Sequence, residues 1–346
     1  MRTFAQPEGE PRSPGEMRPF QAFRVDRADE GVRAGLTRMR VQDLSEGDVL
    51  IRAHWSSVNY KDALAASGSG HRIMRHLPLN GGIDVAGEVV ETSDARFAPG
   101  DSVLVTGQGL SETHDGGFAQ YVRVPGDWVI RVPEGLSSRE AMGLGTAGLT
   151  AALALERMED NGQAPGAGPV AVTGATGGVG SLAVSILSRR GYQICAISSK
   201  PEARSYLESV GASEILPLEE ARPTGRPLES ARFAGAVDCV GGAPLAWLLS
   251  VVSPFGNVAS IGNAAGVELE TSVMPFILRG VNLLGINSVL VSRTQREALW
   301  MRLSGELKPP DLDRIVRREV GLEVLPEAFQ SLLSGRAVGR TVVRID

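Results

Sequence analysis

The segment Val170-Ala-Val-Thr-Gly-Ala-Thr-Gly-Gly-Val-Gly-Ser-Leu-Ala-Val-Ser-Ile-Leu187 restricts this chain more than any other. An apolar, β-prone run ends in a glycine turn and opens directly into a helical pattern. Gly174, Gly177 and Gly180 follow at intervals of three, a G-x-x-G-x-x-G variant of the strict G-x-G-x-x-G spacing. Such a turn lets the backbone approach a pyrophosphate, and the helix N-terminus offers free N–H groups and the positive end of a dipole. Glycine-rich turns are common. Here, though, strand, turn, helix and a second strand (Gln193-Ile-Cys-Ala-Ile197) fall in order within one βαβ length, the arrangement of a dinucleotide site. Thr176, Gly177, Gly178 and Val179 are the residues expected around the pyrophosphate.

The end of the second strand selects the dinucleotide. Where NAD-binding units carry an acidic residue about twenty positions on, this strand runs into Ser198-Ser199-Lys200, with Arg204 one turn later. A carboxylate would repel a 2′-phosphate; two hydroxyls, an ammonium and a guanidinium would bind it. The expected cofactor is NADPH, with Ser198, Ser199, Lys200 and Arg204 as its selectors. The alternative is that Lys200 and Arg204 form a solvated helix face.

With 346 residues the chain is long enough for two domains. A net charge of −5 implies no basic surface, so nucleic acid is not an expected partner. No apolar run is long enough to span a membrane. Cys195 and Cys239 are the only cysteines, both in apolar strand-like runs, and read as buried thiols in a reducing, cytoplasmic setting. There is no C-x-x-C pair, and His54, His71, His76 and His114 show no ligand-like spacing, so no metal site is expected and the histidines read as surface or turn residues. Residues 1–16, rich in Pro, Gly, Glu and Arg, read as a disordered extension.

From Phe20 to about Gly143 the chain has β character, with short candidate strands such as Asp48–His54 and Ala86–Glu91 between Gly and Pro turns. Ser137-Ser-Arg-Glu140 is a capping box that starts one helix, and Thr150 to Met158 reads as a second. From Pro169 to Ile286 strands and helices alternate, which means a doubly wound parallel sheet with ligands at the strand C-termini. From about Ser292 the chain turns helical, and Gly339–Ile345 is a closing strand suited to return to the first domain.

Several segments together carry a family resemblance: His54-Trp-Ser-Ser-Val-Asn-Tyr-Lys-Asp-Ala-Leu64, Gly82-Ile-Asp-Val-Ala-Gly-Glu88, Gly145-Thr-Ala-Gly-Leu-Thr150, the Gly174 turn and Met274-Pro-Phe-Ile-Leu-Arg-Gly280, in that order. Over residues 19 to 346 the chain resembles the medium-chain dehydrogenase/reductase superfamily, in its zinc-free quinone-oxidoreductase division and there the acryloyl-CoA reductase (YhdH-like) branch. The resemblance implies an α/β fold: a GroES-like β-rich catalytic domain (19–143 and 292–346) and a Rossmann domain (144–291), after an N-terminal extension (1–18). Where zinc-dependent relatives carry a histidine ligand, this chain has Ile83. A hydride donor without a Lewis-acid metal suits an activated C=C bond, so the implied reaction is NADPH-dependent reduction of acryloyl-CoA to propionyl-CoA. A quinone or enone oxidoreductase and a non-catalytic NADPH-binding protein are the alternatives.

The resemblance also implies the site. Asn59 and Tyr60 lie in a loop lining the cleft and would supply an amide and a hydroxyl to the developing enolate oxygen. Tyr60 is equally a cofactor-packing residue. Asp84 would orient these groups or relay a proton, or else be purely structural; Asp62 reads as a helix-start cap. Thr146, Asn287 and Ser288 are expected near the nicotinamide, and Arg340 either reaches the cleft or stays on the surface. Arg72, Arg75 and Arg302 are the candidates for CoA phosphates. A homodimer through the edge strand, here Asn282 to Val291, completes the expectation.

Overall fold

The computed structural model describes residues 18–68 and 73–345; the N-terminal extension up to position 17, His71 and Arg72 lie outside the described residues. Its first part contains β1 (Phe20–Arg27), β2 (Val32–Met39), β3 (Val49–Ser57), α1 (Tyr60–Ser67), β4 (Leu79–Asn80) and β5 (Asp84–Thr92). β6 (Ser102–Thr106), β7 (Tyr121–Val124) and β8 (Ile130–Arg131) lead to α2 (Ser138–Asp160). The middle runs β9 (Val170–Thr173), α3 (Gly178–Arg189), β10 (Ile194–Ser198), α4 (Arg204–Ser209) and β11 (Glu214–Pro217). It continues with β12 (Phe233–Asp238), α5 (Gly242–Val251), β13 (Val252–Ser260), α6 (Met274–Arg279) and β14 (Asn282–Gly285). The last part holds α7 (Arg293–Ser304), α8 (Leu312–Ile315), β15 (Val316–Val320), α9 (Leu325–Leu333) and β16 (Arg340–Arg344).

The middle strands form one parallel sheet in the order β11-β10-β9-β12-β13-β14. The order reverses between β9 and β12, so the chain crosses over on opposite sides of β9 and leaves a crevice at its C-terminal end, where α3 starts. The β-rich part forms a second sheet, β15-β16-β3-β5-β6-β8, with β7 on β3 and a small β2-β1-β4 sheet beside it. The closing strand β16 pairs antiparallel with β3, Val342 opposite Ser57, so the C-terminus completes a sheet begun far earlier.

α2 joins the two sheets. Glu140 N donates to Ser137 Oγ (3.2 Å) and Ser137 N to Glu140 Oε2 (2.8 Å), so the capping box forms as expected. The two expected helices meet at a kink: Gly145, with φ 52° and ψ −155°, interrupts α2, and helix resumes directly after it, ahead of the expected start at Thr150. The residues on either side of this kink are buried against both sheets. Met142 and Leu149 join one core cluster with Leu104 of β6 and Val172 of β9, and each such fully buried chain contributes roughly 1.5–3 kcal/mol.

Other differences have simple causes. β2 and β15 are edge strands interrupted by charged residues, Arg33 and Arg38 in one and Arg317, Arg318 and Glu319 in the other, so no apolar alternation marks them. β13 begins at Val252, earlier than the expected Asn257, and includes Pro254 ahead of a register shift between Phe233 and Gly235 of β12. Cys195 is buried, but Cys239, expected inside a strand, follows the end of β12 and is only partly buried.

Candidate active site

Asp84 begins β5 and is completely buried. Ser57 Oγ donates to its Oδ2 (2.6 Å), Asn59 Nδ2 to the same oxygen (2.8 Å), and Thr146 donates both its backbone N–H (3.1 Å) and its hydroxyl (2.5 Å) to Oδ1. Asp84 therefore holds four groups from three elements, which fits the orienting role. Arg340, the first residue of β16, is 3 % exposed, so the surface alternative does not hold. Its guanidinium donates to Ser57 Oγ (2.7 Å), Val58 O (3.0 Å), Asn59 Oδ1 (3.1 Å) and Gly143 O (3.1 Å), and Nη2 stands 3.8 Å from Asp84 Oδ2. Burial pulls the guanidinium pKa down, while Asp84 and Asp62 oppose that shift.

Asp62 is more than the simple cap expected. It closes the α1 capping box by accepting Asn59 N (2.9 Å) and also accepts Ile83 N (2.9 Å), tying α1 to the segment before β5. Burial, then repulsion from Asp84, push its carboxyl up to about 7 against the pull of those backbone donors. Two buried carboxylates thus share one buried guanidinium.

The kink explains why position 145 is glycine. A Cβ there would lie 2.6 Å from Asp84 Oδ2, 2.8 Å from Ser57 Oγ and 2.9 Å from Arg340 Nη2, at a left-handed φ. The break in α2 is what lets Thr146 N–H point at Asp84.

These assignments reshape the expected roles. Both amide hydrogens of Asn59 are engaged, by Asp84 Oδ2 and Ser57 O, which leaves neither free for the expected donation to a substrate oxygen. Thr146 likewise gives its hydroxyl proton to Asp84. Tyr60, the first residue of α1, is 38 % exposed and lines a cavity of about 120 Å³ together with Asn59, Ala147, Gly178, Val179 and Arg340. The cavity therefore joins the Asn59–Tyr60 loop to the start of α3.

On the dinucleotide side the cradle fits the group it is expected to hold. A Cβ on Gly180 would lie 2.2 Å from Gly174 O, so the turn closes only with glycine. Gly177 caps α3 without a side-chain bond, and no acidic residue occupies the first turn, leaving the helix-start N–H groups open to an anion. Ser198 Oγ accepts Lys200 N (3.1 Å), and Ser199 is exposed. Lys200 is not the solvated lysine of the alternative reading: its ammonium donates to Thr176 Oγ1 (3.2 Å) and Ala337 O (2.6 Å), and burial lowers its pKa. Arg204 does match that alternative, with a side chain 61 % exposed and paired to Glu208 at 3.5 Å. Ser288 Oγ accepts Thr150 Oγ1 (2.8 Å), and Asn287 Oδ1 accepts Val289 N (3.1 Å) in a local turn.

The CoA candidates fare less well. Arg302 is enclosed by Glu156, Glu159 and Glu306, and Arg75 is exposed, with its backbone N–H donating to Glu112 O (2.8 Å). Among the described residues no group of three or more His, Cys, Asp or Glu side chains converges as a metal site, and no helix is long and apolar enough to cross a membrane. Ser57 and the 337–339 segment, whose Gly339 N donates to Thr176 O (2.8 Å), were not singled out from the sequence. Neither carries a local signal, because their partners lie far along the chain.

Comparison with known proteins agrees with this architecture. The alcohol dehydrogenase GroES-like domain family matches residues 45–134, and the family described as zinc-binding dehydrogenase matches residues 178–303. The acrylyl-CoA reductase AcuI of Ruegeria pomeroyi is 43 % identical, over 94 % of this chain and 99 % of its own length. Bacillus subtilis YhfP, provisionally named a quinone oxidoreductase, is 46 % identical over 94 % of this chain and 99 % of its own. Its structure with NAD bound superposes with a TM-score of 0.91, covering 95 % of this chain and 100 % of that one. The Salmonella enterica yhdH oxidoreductase in complex with NADP, 43 % identical, also gives 0.91, over 94 % of this chain and 100 % of its own. On this evidence the chain belongs to the medium-chain dehydrogenase/reductase superfamily, in its acrylyl-CoA reductase (YhdH-like) branch.

Proposed function

We propose that this protein reduces the activated C=C bond of acryloyl-CoA to propionyl-CoA with NADPH. The observation that carries the reading is the single cavity that joins Tyr60 to the glycine cradle of α3, walled by the Asp84–Arg340 network. When bound, the nicotinamide supplies the hydride that the substrate β-carbon accepts. As it does so, negative charge develops on the thioester carbonyl oxygen, to which the Tyr60 hydroxyl on the cavity wall would donate, and the resulting enolate collapses to propionyl-CoA by taking a proton from solvent at its α-carbon. Asn59, Asp84, Ser57 and Arg340 act through position: they fix the loop that carries Tyr60 and exclude water from beneath it. The cavity wall supplies hydrogen-bond donors, which suits a developing enolate oxygen.

Thr176, Gly177, Gly178 and Val179 would hold the pyrophosphate, and Ser198, Ser199 and Lys200 the 2′-phosphate. Thr146, Asn287 and Ser288 lie at the nicotinamide end. The two-domain division at 143/144 and 291/292 belongs to the same reading, with α2 and the returning β16 joining the halves. The chain works on a small molecule in the cytoplasm and pairs with a second copy through β14. That strand ends the parallel sheet, with Phe255, Ile277, Leu278 and Leu283 exposed on or near it. Nucleic acid and membrane are not partners in this reading.

The test is NADPH oxidation by the purified protein with acryloyl-CoA, with a quinone, and with NADH as alternative donor. Turnover of acryloyl-CoA with NADPH in clear preference supports the reading. Turnover of the quinone alone, the activity that YhfP's name suggests for that relative, overturns it in favour of a quinone reductase. Tight nucleotide binding with no turnover overturns catalysis altogether.

A further inference from the structure

We propose that Arg318 is a phosphate ligand of the bound dinucleotide, reaching the pyrophosphate from the wall opposite α3. The inference rests on the dinucleotide reading of the α3 cradle and adds a residue from the other sheet.

Arg318 lies on β15 and lines the same cavity as Gly178 and Val179, the first residues of α3. That wall contains two arginines, Arg318 and Arg340, and no acidic side chain, in a chain whose net charge is −5. Arg340 is already engaged: its guanidinium is divided among Ser57, Val58, Asn59 and Gly143. Lys200 is turned to Ala337 O and Thr176. Among the groups that line this cavity, a pyrophosphate carrying two negative charges would without Arg318 be met by the helix terminus, worth roughly half an elementary charge.

Arg318 is the cation that can change partners. Among the described residues it pairs with Glu327 of α9 at 2.8 Å, and that carboxylate is 69 % exposed while Arg318 itself is 39 % exposed. A solvated pair of this kind contributes little to stability, so an entering phosphate competes for the guanidinium against a weak holder. A guanidinium also presents two parallel donors, the geometry that phosphate oxygens accept. Binding would then tie β15 and α9 to the start of α3, so that the dinucleotide bridges the two sheets.

The experiment measures Kd for NADP+ and NAD+ by calorimetric titration in the wild type, Arg318→Met and Glu327→Gln, with thermal unfolding to confirm that each variant is folded. The pyrophosphate is common to both nucleotides. Arg318→Met is therefore expected to weaken both by the same factor, about tenfold for one charge-assisted contact. Glu327→Gln, which frees the guanidinium, is expected to tighten both a few-fold, a change that a purely structural ion pair would not give. Unchanged affinities in Arg318→Met overturn the proposal, as does a loss confined to NADP+, which would place Arg318 at the 2′-phosphate. A wild type that binds neither nucleotide overturns the dinucleotide reading itself, before Arg318 is at issue.

Discussion

The cradle at the start of α3 and the network around Asp84 lie on either side of one cavity and are built in opposite ways. The cradle is a backbone object. Gly177 N donates to Gly174 O and Ser181 N to Gly177 O, so each contact spans a few residues and depends on the absence of side chains. The network is a side-chain object assembled from β3, the α1 cap, β5, the α2 kink and β16, with Arg340 and Ser57 separated by 283 positions. The difference teaches where a phosphate and where a reacting carbonyl can be served. A diffuse anion is met by local N–H groups, whereas a reacting atom needs side chains fixed in place by distant parts of the fold.

The strongest way to break that contrast is to put a methyl group into each half. Gly145→Ala places Cβ within 3 Å of Asp84, Ser57 and Arg340 at a φ that alanine disfavours; we expect a loss of about 4 kcal/mol or more in urea unfolding, with activity gone. Gly180→Ala drives Cβ into Gly174 O at 2.2 Å. It should abolish NADP+ binding with a smaller loss of stability, because the strain can be relieved by opening the turn. Equal stability losses in the two variants would mean that the network is no more rigid than the turn.

Next in size is Arg340→Met. It leaves Asp84 and Asp62 buried without their shared cation, which should cost about 3–5 kcal/mol at neutral pH. The deficit should shrink in acid as a carboxyl takes up a proton. A loss of stability independent of pH would show that Arg340 contributes packing and little charge.

The legibility of the two regions follows from the same contrast. The βαβ order, the glycine turn and the lack of an acid at the end of β10 are readable because they are consecutive. Motif singles out Asn59 and Asp84 and suggests that Asp84 orients the loop; what the sequence does not show is the contact itself, Asn59 Nδ2 donating to Asp84 Oδ2 at 2.8 Å. Ser57 had no signal, Arg340 could be placed on either side of the surface, and Asp62 looked like an ordinary cap because nothing in Tyr-Lys-Asp shows that Ile83 N and Asp84 approach it. The kink at Gly145 has no local signal, because the groups that require it, on Asp84, Ser57 and Arg340, lie far along the chain.

Asp62 makes that hidden connection measurable. Its carboxyl is pushed up from 3.8 to about 7 in the native protein, so the native state binds the proton more tightly than the unfolded chain. Its contribution to stability is then fully present below about pH 4 and lost as pH rises to about 7, a change on the order of a few kcal/mol. Asp62→Asn should remove this slope between pH 5 and 8 while lowering stability at pH 5, because the amide cannot accept from both Asn59 N and Ile83 N. A wild-type slope that survives in Asp62→Asn would assign it to another group.

The smallest expected effect tests whether the cradle is as purely local as it looks. Sequence reading paired Lys200 and Arg204 as equal selectors of NADPH; the structure separates them. Lys200 lies beside Thr176 with a partly buried ammonium from which burial has removed water, so a 2′-phosphate gains a cation that is already desolvated. Arg204 points into solvent with Glu208 as its neighbour, and screening there leaves little to gain. Lys200→Met should therefore weaken NADP+ by about tenfold and leave NAD+ nearly unchanged, whereas Arg204→Ala should change neither by more than about twofold. Because Lys200 also holds Ala337 O, three residues before Arg340, a fall in kcat with saturating NADPH in Lys200→Met would show that the 2′-phosphate reader is connected to the network through that segment. In that case the cradle would not be a local object after all, and the two halves of the cavity would act as one site.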